Sequence, residues 1–206
     1  RPRPSRSRRS SGTPSTTSAA EAVRHPRWYW GVVVRIDAAR EVLEAVGAAV
    51  DGDAVRPQDP RTGHITLFYA PLRGRNDAPA LGDRVRAAAA ATRAFDVRCA
   101  GFGEFPSATR PVAWLAVADG AEHLASLRDA LCACDDDSHR HPFVPHLTLA
   151  YGEDPAAYAA ARDAIAAAAE AAVVDARIDA VWIAGFPQSG HPARDLRYVE
   201  RIPLGG

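Results

Sequence analysis

The sequence predicts an α+β domain built by internal duplication, with two halves related by a pseudo-twofold axis. The first observation is a repeated hexamer, HITLFY at 64–69 and HLTLAY at 146–151. The second is spacing: an apolar strand pattern precedes each hexamer, with Val32 lying 32 residues before the first and Leu115 lying 31 residues before the second. Self-similarity at a nearly fixed spacing supports a duplication better than any single propensity does.

The elements follow the same order in both halves. An apolar strand at 28–36 leads into a helical pattern at 38–50, and a strand at 112–117 leads into a helical pattern at 121–134. After each hexamer come an alanine-rich helix and a β-like run ending in Gly-Phe, then Phe-Pro, an arginine and a further strand. The helices lie at about 80–91 and 156–171, the dipeptides are Gly101-Phe102 and Gly185-Phe186, and the arginines are Arg110 and Arg194.

Each hexamer predicts a strand with one polar face. Side chains alternate along a strand, so His64 and Thr66 share one face, and His146 and Thr148 share the corresponding face of the second half. A pseudo-twofold axis would bring these two faces together across one cleft. Two histidines can supply a proton donor and a proton acceptor to one reaction, and two threonine hydroxyls can hold an oxyanion.

The aromatic residues of this region are predicted to pack in the core, although they could also stack a nucleobase. Tyr69 and Tyr151 each lie five residues after a histidine, which places them on the opposite face of a regular strand. The other aromatic candidates are Trp28, Tyr29, Trp30 and Phe68.

The paired hexamers, and above all HPFVPHLTLAYG at 141–152, resemble the two-histidine (2H) phosphoesterase superfamily, which includes the LigT-like 2′-5′ RNA ligase family of RNA 2′,3′-cyclic phosphodiesterases. This resemblance implies a bilobal fold with antiparallel sheets lining a central cleft and helices on the outside. It implies metal-free hydrolysis of a 2′,3′-cyclic phosphate to a 2′-phosphate, together with reversible 2′-5′ ligation. His64 and His146 match the catalytic residues, and Thr66 and Thr148 match the phosphate-binding residues.

The chemistry is consistent with imidazole, whose ordinary pKa of about 6.5 lets one ring donate a proton while the other accepts one. Three functions stay open. The first is hydrolysis of cyclic phosphate ends of RNA or nucleotides. The second is the same chemistry on a 2′-5′ oligonucleotide or a cyclic ADP-ribose phosphate, and the third is non-catalytic binding of an RNA end or nucleotide.

Charge is unevenly distributed along the 206 residues. Residues 1–24 hold six arginines and one acid, a net charge of +5, and are rich in Arg, Ser, Thr and Pro, which predicts a disordered tail. Residues 25–206 hold 19 arginines and 24 acids, a net charge of −5, and form the predicted 2H phosphoesterase domain. Because proteins that bind long nucleic acids carry basic surfaces, the expected ligand is an RNA end or a nucleotide.

No cofactor and no metal are predicted. The alternative is a zinc site at Cys132, Cys134, His139 and His141, but its spacing fits no common zinc motif. Three cysteines do not form a disulfide framework, so the sequence predicts a cytoplasmic protein, and we expect a monomer without a membrane segment. The remaining histidines (His25, His123 and His191) are predicted to lie on the surface. Three arginines (Arg35, Arg110 and Arg194) could reach the phosphate, but solvated surface positions are predicted for them as well.

Overall fold

The computed structural model describes residues 28–50, 52–70, 77–132, 142–187 and 190–205. The predicted tail, residues 1–24, lies outside these ranges. The described residues form nine strands: β1 Trp28–Arg35, β2 Val55–Pro57, β3 His64–Ala70, β4 Phe95–Phe105, β5 Val112–Asp119, β6 His146–Gly152, β7 Val173–Ile178, β8 Ala180–Pro187 and β9 Arg197–Pro203. They also form the helices α1 Arg40–Ala49, α2 Asp77–Ala90, α3 Ala121–Leu131, α4 Pro155–Glu170 and α5 Pro192–Asp195, with 3-10 turns at Asp37–Ala39 and Pro60–Thr62.

The strands form one antiparallel sheet in the order β7-β4-β5-β6-β3-β1-β8-β9, and β2 adds to β6. This order is symmetric about its centre, because β3 corresponds to β6, β1 to β5, β8 to β4 and β9 to β7. The two half-sheets meet where Ile65 of β3 pairs with Leu147 of β6. The predicted α+β duplication is therefore confirmed, and the two predicted sheets are halves of one.

Each half-sheet contains strands from the other sequence repeat: β4 in one, and β8 with its neighbour β9 in the other. Strand β4 follows the first hexamer in the chain, yet it pairs with β5 and β7 of the second half. Strand β8 follows the second hexamer and pairs with β1 of the first half. The two repeats are thus interlocked through the sheet.

The main core lies between the helices and the aliphatic face of the sheet. Ile65 and Leu147 are fully buried there, as are Leu43 of α1 and Leu124 of α3. Replacing one of these side chains by alanine would cost roughly 2–5 kcal/mol of unfolding free energy. Since this face is covered, the face that carries the histidines and threonines is the one left for a ligand.

The predicted helices appear within a few residues of their expected ends. The alanine-rich α4 begins where the Asp154 side chain accepts hydrogen bonds from the backbone N–H groups of Ala156 and Ala157, and Pro155 occupies its first position. None of the helices in the described ranges combines the length and the apolar character needed to cross a membrane.

Candidate active site

Both hexamer strands contain a β-bulge at the same position. On β3, Phe68 pairs with Val32 and Thr66 with Val33, which leaves Leu67 as the extra residue. On β6, Ala150 pairs with Ala113 and Thr148 with Trp114, which leaves Leu149 as the extra residue. The side chain after each extra leucine, Phe68 or Ala150, is buried together with that leucine. The duplication therefore includes an irregularity of the backbone.

The bulges return the last tyrosine of each hexamer to the histidine face. Tyr69 forms a side-chain hydrogen bond with Thr66, and Tyr151 forms one with Thr148. The prediction that Tyr69 and Tyr151 lie on the opposite face is wrong, because one extra residue inverts the alternation of all residues that follow. Each half thus presents a histidine, a threonine and a tyrosine on one face.

The junction between β3 and β6 brings the two polar faces together. Continuing the Ile65–Leu147 register by one residue in each direction places His64 opposite Thr148 and His146 opposite Thr66. Residues that lie diagonally across an antiparallel pair have Cα atoms about 7–8 Å apart, and the two histidines are so related. The protonated His146 ring also acts electrostatically on His64. The structure therefore brings together all four residues predicted from the hexamers.

Both imidazoles are held in the same orientation. The Nδ1 atom of His64 lies 2.7 Å from the carbonyl oxygen of Thr62, and that of His146 lies 2.7 Å from the carbonyl oxygen of Val144. A carbonyl oxygen only accepts, so each Nδ1 carries a proton and each neutral ring keeps a lone pair on Nε2. Either ring can therefore accept a proton at Nε2, or donate one from there once charged.

Burial lowers the pKa of both histidines. For His64 the positive charge of a protonated His146 lowers the pKa further, while the carbonyl of Thr62 partly offsets the shift. For His146 the carbonyl of Val144 opposes the effect of burial. Near pH 7 both rings are therefore mainly neutral, and the state with one charged ring becomes populated below pH 6.5.

The walls around the two histidines differ. Arg35 lies opposite His64 on β1, bonds Asp37 at 2.6 Å, and stacks its guanidinium 5.0 Å from the ring centre of Tyr198. His146 instead contacts the rings of Phe105 and Trp114 at centroid distances of 4.8 and 5.8 Å. The His64 side thus carries an arginine paired with an aspartate, whereas the His146 ring packs directly against two aromatic rings.

The indole near each threonine comes from a different strand in each half. Beside Thr148, Trp114 of β5 lies over Gly103 of β4, where any side chain would overlap the indole. Beside Thr66, the corresponding β1 residue is Val33, which pairs with Trp182 of β8. In the second half the indole is on the strand next to the hexamer strand and the small residue is one strand further out, whereas the first half has the reverse order. Each threonine therefore has one indole nearby.

A buried histidine beside Tyr151 was not predicted. His191 is 8% exposed, its Nε2 lies 2.8 Å from Glu153 Oε1, and its ring meets that of Tyr151 edge-on at 4.9 Å. Arg110 contacts the same Nε2 and stacks 5.3 Å from the Tyr151 ring centre. The prediction of surface positions is therefore wrong for His191, whereas His123 is exposed.

The sequence signal that could have identified His191 is weak. His191 precedes Pro192, and its Nδ1 accepts a hydrogen bond of 3.1 Å from the N–H of Ala193, as a helix-capping residue does. Its other partners lie far away in the sequence. A local pattern can therefore suggest the cap but not the contacts with Arg110 and Glu153.

The described residues hold no cluster of three or more potential metal ligands. Three members of the alternative zinc site (Cys134, His139 and His141) lie outside the described ranges, so that alternative stays a hypothesis. Burial raises the pKa of the Cys99 thiol to about 12, which keeps it protonated and unreactive.

Comparison with solved structures gives the same architecture. Protein TT0787 of Thermus thermophilus is 22% identical, with a TM-score of 0.62 over 86% of this chain and 98% of that one. Escherichia coli LigT complexed with ATP is 18% identical, with a TM-score of 0.59 over 86% of this chain and 98% of that one. LigT complexed with 3′-AMP is 17% identical, with a TM-score of 0.59 over 85% of this chain and 97% of that one. At these identities the similarity establishes the fold.

Comparison with family profiles shows which family the chain belongs to. No curated protein matches the chain closely enough to be assigned as a relative. The profile of the 2′-5′ RNA ligase superfamily, however, matches residues 32–185, which include both hexamers and most of the sheet. This match shows that the chain belongs to the 2′-5′ RNA ligase superfamily, with which its LigT-like fold is consistent.

Proposed function

We propose that the protein hydrolyses 2′,3′-cyclic phosphate ends of RNA or nucleotides without a metal ion. His64 and His146 are the general acid and base, and Thr66 and Thr148 bind the phosphate. The observation that carries this proposal is the crosswise placement of the two histidine–threonine pairs, each ring anchored through Nδ1. Residues 25–206 form the catalytic domain, which acts in the cytoplasm. It acts as a monomer, since one chain supplies both histidine–threonine pairs.

The reaction needs two proton transfers. The neutral histidine takes a proton from water as the water oxygen attacks phosphorus, and the charged histidine donates a proton to the sugar oxygen as its bond to phosphorus breaks. When the 3′ oxygen leaves, the product is a 2′-phosphate. The threonine hydroxyls donate hydrogen bonds to the phosphoryl oxygens as their negative charge grows. With a 5′ hydroxyl in place of water as the attacking group, the same step would break the bond to the 3′ oxygen and give a 2′-5′ linkage.

The lowered histidine pKa values favour a maximum of kcat/KM below pH 6.5. Turnover requires one charged and one neutral ring, so the rate falls on the alkaline side when the charged ring loses its proton and on the acidic side when both are protonated. The expected profile is bell-shaped. A flat profile from about pH 5 to 9 would show that imidazole titration does not limit the reaction.

The superfamily membership supports a phosphoester substrate, and the LigT complexes with 3′-AMP and ATP are consistent with a nucleotide ligand. Two other functions share this geometry. One is the same chemistry on a 2′-5′ oligonucleotide or a cyclic ADP-ribose phosphate. The other is binding of an RNA end without turnover, which the anchored histidine pair argues against.

The deciding experiment measures turnover in EDTA on three substrates: an RNA ending in a 2′,3′-cyclic phosphate, a 2′,3′-cyclic mononucleotide and a 2′-5′ oligonucleotide. We expect hydrolysis of the cyclic phosphates to a 2′-phosphate. Binding without turnover would support the non-catalytic alternative. Activity that disappears with EDTA and returns with zinc or magnesium would contradict the metal-free mechanism.

A further inference from the structure

Beside the second hexamer lies a group of charged residues that the proposed reaction does not use. We call it the Tyr151 cluster, and its members are Arg56, Arg110, Tyr151, Glu153 and His191. Tyr151 belongs to the site through its hydrogen bond with Thr148. The other four side chains surround Tyr151, so the cluster extends the phosphate-binding face along β6.

Two arginines border Tyr151 from different elements. Arg56 of β2 is the register partner of Tyr151, and paired residues of adjacent strands point to the same side of a sheet. Arg110, just before β5, stacks 5.3 Å from the Tyr151 ring centre. Both guanidinium groups therefore lie on the side of the sheet that carries Thr148.

The positive charge of the cluster is only partly balanced. Arg110 Nη2 pairs with Glu153 Oε1 at 2.9 Å. His191 is neutral near pH 7, since burial and the charges of Arg110 and Arg56 lower its pKa to about 4. Among the five side chains of the cluster, two arginines thus face one carboxylate, a net charge of about +1, which the Asp195 carboxylate at 2.6 Å from the His191 backbone nitrogen partly offsets. The domain as a whole carries −5.

Arg56 also has unused hydrogen-bonding capacity. Its Nε is buried and has no hydrogen-bond partner among the described residues. A buried donor without a partner is uncommon, because leaving its hydrogen bond unmade costs about 1–3 kcal/mol. The Nε atom is closed to solvent, so an anion would reach Arg56 through the rest of its half-buried side chain and would there balance the excess charge.

The His191 tautomer keeps Glu153 in place. Because Nδ1 accepts the N–H of Ala193, the neutral ring carries its proton on Nε2 and donates it to Glu153 Oε1 at 2.8 Å. Arg110 Nη2, which is also a donor, therefore contacts that nitrogen without a hydrogen bond between them. Glu153 therefore competes with any external anion for Arg110. This arrangement predicts that removing its charge strengthens anion binding.

We propose that Arg56 and Arg110 bind a second phosphate of the substrate and select cyclic-phosphate ends that carry one. Thr148 and Tyr151 are three residues apart on one strand, about 10 Å at the usual rise and less across the bulge, so the second phosphate belongs to the same or the adjacent nucleotide unit. This inference rests on the proposed function. The substrates it favours are a 5′-phosphorylated cyclic nucleotide, an oligonucleotide end and a cyclic phosphate that carries a diphosphate bridge.

The test compares kcat/KM on adenosine 2′,3′-cyclic phosphate with that on its 5′-phosphorylated form and on the dinucleotide ApA ending in a cyclic phosphate. The wild type should prefer a second phosphate by roughly tenfold to a hundredfold, as expected for a charge-assisted contact. Preference for the 5′-phosphorylated form alone indicates a terminal phosphate, and preference for the dinucleotide indicates a diester.

Three substitutions separate recognition from support of the fold. Arg56→Gln should lose most of the preference, and Arg56→Lys should retain part of it. Glu153→Gln should increase the preference, an effect that a merely structural ion pair would not produce. The matched control is Arg177→Gln, an exposed arginine paired with Asp96 at the far edge of the sheet, which should leave the preference unchanged.

Binding keeps the inference testable without turnover. Calorimetry on wild type and variants would compare adenosine 2′-phosphate with adenosine 2′,5′-bisphosphate, both unreactive. A selective bisphosphate affinity that Arg56→Gln removes would support the subsite even if the proposed hydrolysis fails. Any one of three results would overturn the inference. The first is equal affinities and equal kcat/KM values in the wild type. The others are a preference that Arg56→Gln leaves intact and weaker binding in Glu153→Gln.

Discussion

The two halves of this protein share a backbone design and differ in what surrounds it. Both strands carry the same bulge, both histidines bond a carbonyl two residues earlier, and both tyrosines bond a threonine. The side chains packed around these repeated contacts differ between the halves. We infer from this contrast that the duplicated part would carry the proposed reaction and that its surroundings would select the substrate.

The supports of the two histidines illustrate the difference. The carbonyl that anchors His64 belongs to Thr62, which is buried and whose hydroxyl accepts a 2.7 Å hydrogen bond from Gln58. The carbonyl that anchors His146 belongs to Val144, which is exposed. The first ring is therefore held by a packed turn, whereas the second depends more on Phe105 and Trp114.

The tyrosines differ in the opposite sense. Tyr69 is 52% exposed, although burial of its hydroxyl end raises its pKa. Tyr151 lies between Arg110 and His191, and burial raises its pKa strongly. The second half therefore fixes its tyrosine, and the first half leaves the corresponding ring open to solvent.

The largest expected effect comes from removing either histidine. His64→Ala and His146→Ala should each lower kcat by about 10² to 10⁴, and the double variant should lose less than the product because the two rings act together. Steady-state kinetics with circular dichroism would check both, with the exposed His123→Ala as control. Near-normal turnover in His146→Ala would separate the second half from the chemistry.

The threonines test whether the two halves bind phosphate equally. Thr66→Val and Thr148→Val keep the side-chain shape and remove the hydroxyl, so each should lower kcat by about 10², as loss of one oxyanion donor does. Measured losses that differ by more than tenfold would show that the phosphate sits closer to one half.

The tyrosines should show a smaller and unequal effect. Loss of a hydrogen bond typically costs about 1 kcal/mol, so Tyr151→Phe should lower kcat/KM by roughly fivefold. Tyr69→Phe should have less effect, because water can replace the lost partner of an exposed residue. Kinetics and urea unfolding of both variants would check this order, and the reverse order would contradict the assignment of Tyr151 as the fixed residue.

His191 makes the stability of the second half depend on pH. Its folded pKa of about 4 lies below the ordinary 6.5, so its contribution is complete above pH 6.5 and is lost as pH falls toward 4, because the unfolded chain binds the proton first. Urea unfolding at pH 7 and pH 4.5 should show that the free energy of unfolding falls less between these pH values in His191→Gln than in the wild type. Equal losses would contradict the shift, and His123→Gln serves as control.

The duplication and the four central residues were predictable because they repeat in the sequence. The bulges were not predicted, although two consecutive apolar residues in each hexamer, Leu67-Phe68 and Leu149-Ala150, break the alternation and could have indicated them. The Tyr151 cluster is harder to predict, because Arg56, Arg110 and His191 come together only through the tertiary fold.

The exchange of β4 and β8 bears on how such a protein could arise. A single repeat folded alone would leave its last strand without a neighbour, since β4 pairs only with strands that follow it in the chain. Two identical copies could complete each other by exchanging that strand, as domain-swapped dimers do. Their shared interface would then hold one histidine–threonine pair from each copy. In that view, fusion into one chain freed the residues around the two pairs to diverge.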